Sequence, residues 1–168
     1  MEKSKVFFSN LHTTFSETLP QKLERLIKTA GIGEIDFKNK YAAIKIHFGE
    51  PGNLAYLRPN YAAVVVKVVK ELGGKAFLTD CNTLYVGGRK NALDHLDAAY
   101  TNGFSPFSTG CHVIIADGLK GTDEELVPVE GGDYVKMCMR DSSCWSRRGA
   151  AWPAASPAAA PCSMTWEI

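Results

Sequence analysis

Residues 59–79, PNYAAVVVKVVKELGGKAFLT, decide the fold. The valine run has the β-branched content of a strand. Pro59, however, sits where a first helical turn begins, and Gly73-Gly74 supplies a C-terminal stop. Tyr61, Val65, Val68, Val69 and Leu72 fall on one helical stripe, and the segment exceeds the roughly four to eight residues of a typical strand. The reading is a helix over Pro59–Leu72, followed by a short strand over Lys75–Thr79.

Working outward, Tyr41–Phe48 reads as a strand: Ala42, Ile44 and Ile46 alternate with Ala43, Lys45 and His47. Upstream, Leu19, Leu23, Leu26, Ile27 and Ala30 follow helical spacing, with Pro20 in the first turn and Gly31 at C′. The apolar run Val6–Phe8 reads as a strand before it. Downstream, Asn91–Asn102 reads as a helix facing Ala92, Leu93, Leu96, Ala99 and Tyr100 inward, ended by Gly103. His112–Ala116 reads as a strand, and the turn-rich remainder to Lys136 holds an edge strand near Leu126–Val129. Alternation of strand and helix predicts an α/β fold. Its mostly parallel sheet has about four to five strands with flanking helices, incomplete at the C-terminal side.

Composition divides the 168 residues in two. Residues 1–136 hold all 13 lysines, three arginines and 16 acids, so this α/β part is neutral. Neutrality argues against nucleic-acid binding, which needs clustered basic charge. Residues 137–168 hold no lysine, three arginines, two acids, all three tryptophans, and only Ile168 among Leu, Ile, Val and Phe. A segment so poor in aliphatics cannot build a core. It is expected to be a disordered tail or an out-of-frame reading of the gene, a frameshift near codon 137 that leaves the α/β part truncated.

The start lacks the apolar stretch of a signal peptide, and the aliphatic run Ala62–Val66 is far shorter than the ~20 residues of a membrane span. These features predict a cytoplasmic protein without a membrane partner. Cys81 and Cys111 read as buried thiols, and the spacings of Cys138, Cys144 and Cys162 match neither a zinc ribbon nor a ferredoxin.

Ligands of open α/β sheets bind beyond the C-terminal ends of the strands. Three loops occupy that edge here: His47 to Asn53, Asp80 to Arg89, and Asp117-Gly118. In the second, Asp80 suits a ligand hydroxyl or a hard cation, Asn82 and Thr83 suit an oxyanion, and Arg89 suits a carboxylate or phosphate. Asp80 and Asn82 are equally suited to capping turns. His47 and Glu50 read as metal ligands or an acid/base pair, or as ordinary strand-end polar residues. Lys45 reads as a charged ligand contact or a snorkelling side chain. Asn53 and Asp117 complete the ligand-binding candidates. His12 and His95 have no partner legible in sequence, and Asp94 and Asp97 read as a solvated helix face. No residue set assigns a catalytic role or, with any specificity, a metal site. GxGxxG, P-loop, HExxH and GxSxG patterns are absent.

The stretches AAIKIHFGEPGNLAYLRPNY, GGKAFLTDCNTLYVGGRKNALDHLDAAYTNGF and HVIIADGLKG, in this order and spacing, resemble the domain of unknown function 362 family. The resemblance covers most of residues 5–136. It implies an α/β fold and association with iron–sulfur proteins, full-length relatives often carrying a ferredoxin-like 4Fe-4S module after the domain. That module is absent from the text after Lys136. Lys45, His47, Gly49, Glu50, Asn53, Asp80, Asn82, Thr83, Arg89, Asn91, His95 and Gly103 match motif positions, without assigned roles. Three expectations follow. The chain is the small-anion- or nucleotide-binding part of an oxidoreductase with an electron-transfer partner, or a noncatalytic ligand- or metal-binding module positioning a ferredoxin-like domain, or a nonfunctional fragment.

Overall fold

The computed structural model describes residues 5–127, 135–138 and 165–167. Its centre is a parallel sheet of three strands, β1 (Tyr41–Lys45), β2 (Lys75–Asp80) and β3 (Val113–Ile115), flanked by helices. The short strand β6 (Thr165–Glu167) pairs in parallel with the free edge of β1, giving the order β3-β2-β1-β6. The expected α/β architecture holds, with three strands rather than four or five drawn from the core-forming part of the chain.

The decisive stretch is helix α2 (Pro59–Glu71), with Pro59 in its first turn. Valine is disfavoured in a helix by at most ~0.7 kcal/mol per residue. Burial of each valine contributes ~1.5–3 kcal/mol. Val64, Val65, Val66, Val68 and Val69 are all buried, so packing outweighs propensity throughout the run. Burial extends around most of the helix because α2 contacts β1 and β2, α1 (Leu19–Thr29) and the short α4 (Pro106–Thr109). The helix stops at two glycines for two reasons. Gly73 adopts φ +85°, and a Cβ on Gly74 would lie 2.7 Å from the Val69 side chain.

Helix α1 begins at a capping box. Gln21 N–H donates to the Thr18 hydroxyl, and the Gln21 side-chain oxygen accepts from Thr18 N–H at 2.8 Å. None of its residues is fully buried; it lies on α2 through half-buried Leu23, Leu26 and Ile27 and the exposed-side ion pairs Glu24–Lys67 and Lys28–Glu71. Helix α3 (Ala92–Thr101) starts at Asn91, whose side chain accepts from the N–H groups of Leu93 and Asp94.

Four expectations change. Val6–Phe8 is not a strand: Val6 and Phe8 are exposed, with no ladder partner. Ala92, Leu96 and Ala99 of α3 pack on the core as expected, but Leu93 and Tyr100 are exposed, and His95 and Ala98 are buried instead. The strand expected near Leu126–Val129 is β4 (Glu124–Val127), and it pairs antiparallel with β5 (Val135–Cys138) in a separate two-stranded sheet. Finally, β1 ends at Lys45. Ile46 N–H still reaches Thr79 O at 3.1 Å, but Gly49, at φ +86°, turns the chain out of the sheet. Helix α4, opened by a Ser105/Ser108 capping box, had no counterpart in the expected element order. The expected break at 136/137 falls within β5, and most of the tail beyond it lies outside the described residues.

Candidate functional site

Parallel register aligns the strand ends. Lys45 pairs with Thr79, and Asp80 pairs with Ile115, two residues before Asp117. The three loops that follow therefore leave one edge of the sheet together.

A chain of charged groups crosses that edge. Asp80 is 5% exposed and Arg89 4% exposed, so neither charge is screened well by water. Arg89 Nη1 lies 3.2 Å from Asp80 Oδ2, and Arg89 Nε donates to Glu50 Oε1 at 2.7 Å. Arg89 Nη2 donates to the Tyr85 hydroxyl oxygen at 2.9 Å, and that hydroxyl donates in turn to Glu50 Oε1. On the other side of Asp80, the buried Lys45 ammonium lies 3.3 Å from Oδ1, and Cys81 N–H donates to the same oxygen at 2.9 Å. His95, fully buried, places Nε2 3.6 Å from Asp80 Oδ2.

A second arm runs to β3. The backbone N–H and side-chain amide of Asn82 both donate to the Asp117 carboxylate at 3.0 Å, and the amide also donates to Gly118 O at 2.9 Å. Asn82 Oδ1 faces His95 Nδ1 at 3.4 Å, which joins the two arms.

Electrostatics follow from these contacts. Burial pushes the Asp80 carboxyl up, but His95 and Lys45 outweigh it, and the group is held below the usual carboxylate range. Burial likewise raises Glu50, and the hydrogen bonds from Tyr85 and Arg89 bring it below its ordinary value. For His47 burial lowers the affinity for a proton, and the positive charge of Arg89 adds to this. His47 Nδ1 accepts from Gly49 N–H at 2.9 Å. A neutral imidazole accepting at Nδ1 carries its proton on Nε2, so exposed His47 presents a neutral donor.

Most of the expected residues thus meet: Lys45, Glu50, Asp80, Asn82, Arg89 and Asp117 form one network, with His47 at its rim. Two do not join it as ligand groups. Exposed Asn53 makes a local turn, its Oδ1 accepting from Ala55 N–H at 2.8 Å. Thr83 closes its own loop, its N–H donating to Arg89 O at 2.8 Å and its hydroxyl to Tyr85 O at 3.1 Å. Arg89 is also spent differently than expected: two carboxylates and a phenol occupy its guanidinium, so it aligns Glu50 and Asp80 instead of offering an open fork. Asp80 is already held by Lys45 and Arg89, which leaves a hard cation no vacant carboxylate there.

Tyr85 is the member that sequence reasoning missed, and His95, matched to a family-motif position, had no partner legible in sequence. Tyr85 carries no signal beyond its loop. His95 does: with Ala98 and Ala99 it forms an i, i+3, i+4 stripe of its own.

An open cavity of about 360 Å³ lies nearby at the start of α2, lined by Leu54, Tyr56, Arg58, Pro59, Asn60 and Asn102. It contains no member of the network. Cys81 and Cys111 are both buried, and burial raises the Cys111 thiol. Among the described residues no group of three or more His, Cys, Asp or Glu side chains is arranged to hold a metal ion. The described side chains therefore do not fit a four-iron cluster, which takes about four thiolates.

Fold and network together define an α/β protein with a buried charged cluster at the strand ends. The chain belongs to the family described as Domain of unknown function (DUF362), whose model matches residues 42–141. That range takes in β2, β3 and all of β1 but Tyr41, together with the whole charged network. No curated protein matches the chain, and no solved structure does. No helix among the described residues is long and apolar enough to cross a membrane.

Proposed function

We propose that the strand-end loops bind a small anion, a carboxylate or the phosphate of a nucleotide, and that the chain is the binding part of an iron–sulfur-associated oxidoreductase. The observation that carries the binding reading is Lys45. Its buried ammonium has Asp80 at 3.3 Å as its ionic partner among the described residues, and an ammonium has three donors to place. His47, two residues on and just past the end of β1, adds a neutral N–H donor. Arg89 serves as a positioning group, holding Glu50 and Asp80 in place beside Lys45. The redox part of the reading rests on the family resemblance. It assigns the cluster to a partner or an appended module, with electron transfer between them.

Amide NMR of the isotope-labelled chain tests the binding. Titration with inorganic phosphate, acetate and a nucleoside monophosphate is expected to shift residues 45–50, 80–89 and 117–118 saturably, and Lys45→Met to abolish the shifts. Saturable shifts confined to other surfaces, or none at millimolar concentrations, refute the reading.

A further inference from the structure

The geometry points to His95 as a positioning residue that carries a proton on both ring nitrogens and thereby locks Asp80 in place. Two residues beyond Asp80 stands Asn82. The side-chain amide nitrogen of Asn82 donates to Asp117 Oδ1 at 3.0 Å and to Gly118 O at 2.9 Å. Both partners are oxygens that accept, so the amide cannot be turned over, and its own oxygen must face His95. That oxygen is an acceptor, 3.4 Å from His95 Nδ1. Nδ1 therefore carries a proton.

The other nitrogen then decides the charge. His95 Nε2 is buried and has no hydrogen-bond partner of normal length among the described residues, and Asp80 Oδ2 lies 3.6 Å from it. A neutral ring with its proton on Nδ1 would aim a lone pair at that carboxylate oxygen. The spacing is too short for a bridging water, which needs about 5 Å between the groups it joins. A second proton, on Nε2, turns this clash into a charge-assisted contact.

The surroundings accommodate that charge. Asp80 faces the ring from the end of β2, with Lys45 of β1 on its Oδ1 and Arg89 on its Oδ2. Arg89 is matched by Glu50, and Asp117 stands behind Asn82. Three cations, Lys45, Arg89 and His95, are thus balanced by three carboxylates, Glu50, Asp80 and Asp117. Phe48 meets the imidazole edge-on at a centroid distance of 5.7 Å, an apolar contact that leaves the proton count to the polar neighbours. Asp94 and Asp97, on the same helix, are exposed and face away. This assignment concerns the protons of the cluster itself and holds whatever ligand the loops take.

Imidazole nitrogen NMR of the full 168-residue chain tests it, with exposed His12 and His112 as internal references. His95 is expected to show two protonated nitrogens at about pH 7.5, where exposed imidazoles are mostly neutral. In Asp80→Asn the side-chain amide can donate to Nε2, so that variant is expected to return His95 to one protonated and one lone-pair nitrogen. A wild-type His95 with a single protonated nitrogen at that pH overturns the assignment, and so does an unchanged two-proton pattern in a folded Asp80→Asn. The wild-type spectrum decides the matter alone if the variant does not fold.

Discussion

Arg89→Met is the most informative perturbation of the charged edge, because it keeps the apolar stem of the side chain and deletes the charged guanidinium. Wild-type Arg89 makes a charge-assisted bond to Glu50 at 2.7 Å, a contact to Asp80 at 3.2 Å and a bond to the Tyr85 hydroxyl oxygen at 2.9 Å. Hydrogen bonds to charged groups contribute about 1.5–3 kcal/mol each and neutral ones about 1. The sum, about 4–7 kcal/mol, overstates the loss, since the Glu50 side chain is 27% exposed and regains water. Asp80 does not, but it keeps Lys45 and Cys81 N–H, so the loss stays within the ~3–5 kcal/mol of a broken internal ion pair. We expect about 4 kcal/mol at pH 7, read from urea unfolding. The loss has a pH signature. Asp80 and Glu50 both lie below their ordinary values of 3.8 and 4.5, so their contribution is present at neutral pH. It disappears as pH falls through the folded-state values, below about pH 4. The gap between wild type and Arg89→Met should narrow over that window. Arg89→Met/Asp80→Asn should cost less than the two single changes added together. A loss below about 1 kcal/mol at pH 7 for Arg89→Met would refute the claim that the cluster is a desolvated ion network.

Three further outcomes are expected. Gly49→Ala should destabilise by about 2 kcal/mol in thermal or urea unfolding, because φ is +86° and the new Cβ would stand 2.7 Å from Asn102 Nδ2 and Tyr56 Cδ1; a neutral result would mean the turn relaxes freely. Thr18→Ala should cost under ~1 kcal/mol, at the low end for a cap, since its bond from Gln21 N–H is long at 3.5 Å; helix content and melting temperature report it. Glu24 is held by Lys28 and Lys67, which lower its carboxyl to about 2; side-chain carboxyl NMR should show that midpoint, and Lys67→Met should raise it.

Legibility followed locality. Helix α2 was readable because Pro59 and Gly73-Gly74 mark its ends in the chain itself, even where the valines between them argued for a strand. Helix α3 was readable in extent, from Asn91 to Gly103, and in part in orientation. Ala92, Leu96 and Ala99 pack on the core as their spacing predicts, whereas Leu93 and Tyr100, at the edges of that stripe, are exposed and His95 and Ala98 are buried. Which edge of an apolar stripe is covered depends on the partner surface, which no local pattern states. Val6–Phe8 failed for the converse reason. An apolar triplet predicts a strand only if a ladder edge is free to receive it, and no local pattern states that.

The candidate site was legible as a set of loops because the C-terminal edge of a parallel sheet gathers whatever follows each strand. What sequence could not supply is which charges neutralise which. Arg89 lies nine residues beyond Asp80 and reads naturally as a ligand contact; folded, it is enclosed by Asp80, Glu50 and Tyr85. Replacing such a network by packed apolar groups is often neutral or stabilising, so a stability argument alone does not explain its presence. Its value lies in position. A carboxylate held on one side by Arg89 and on another by His95 keeps Lys45 at one place at the mouth of the sheet, with the entropy of ordering already spent before any anion arrives. On this view Arg89, His95 and Asn82 act through Asp80, and Lys45 and His47 are the groups that would meet a ligand. Substitutions in the first set should weaken anion binding in proportion to the disorder they bring to Lys45, whereas Lys45→Met should abolish it with the rest of the network intact.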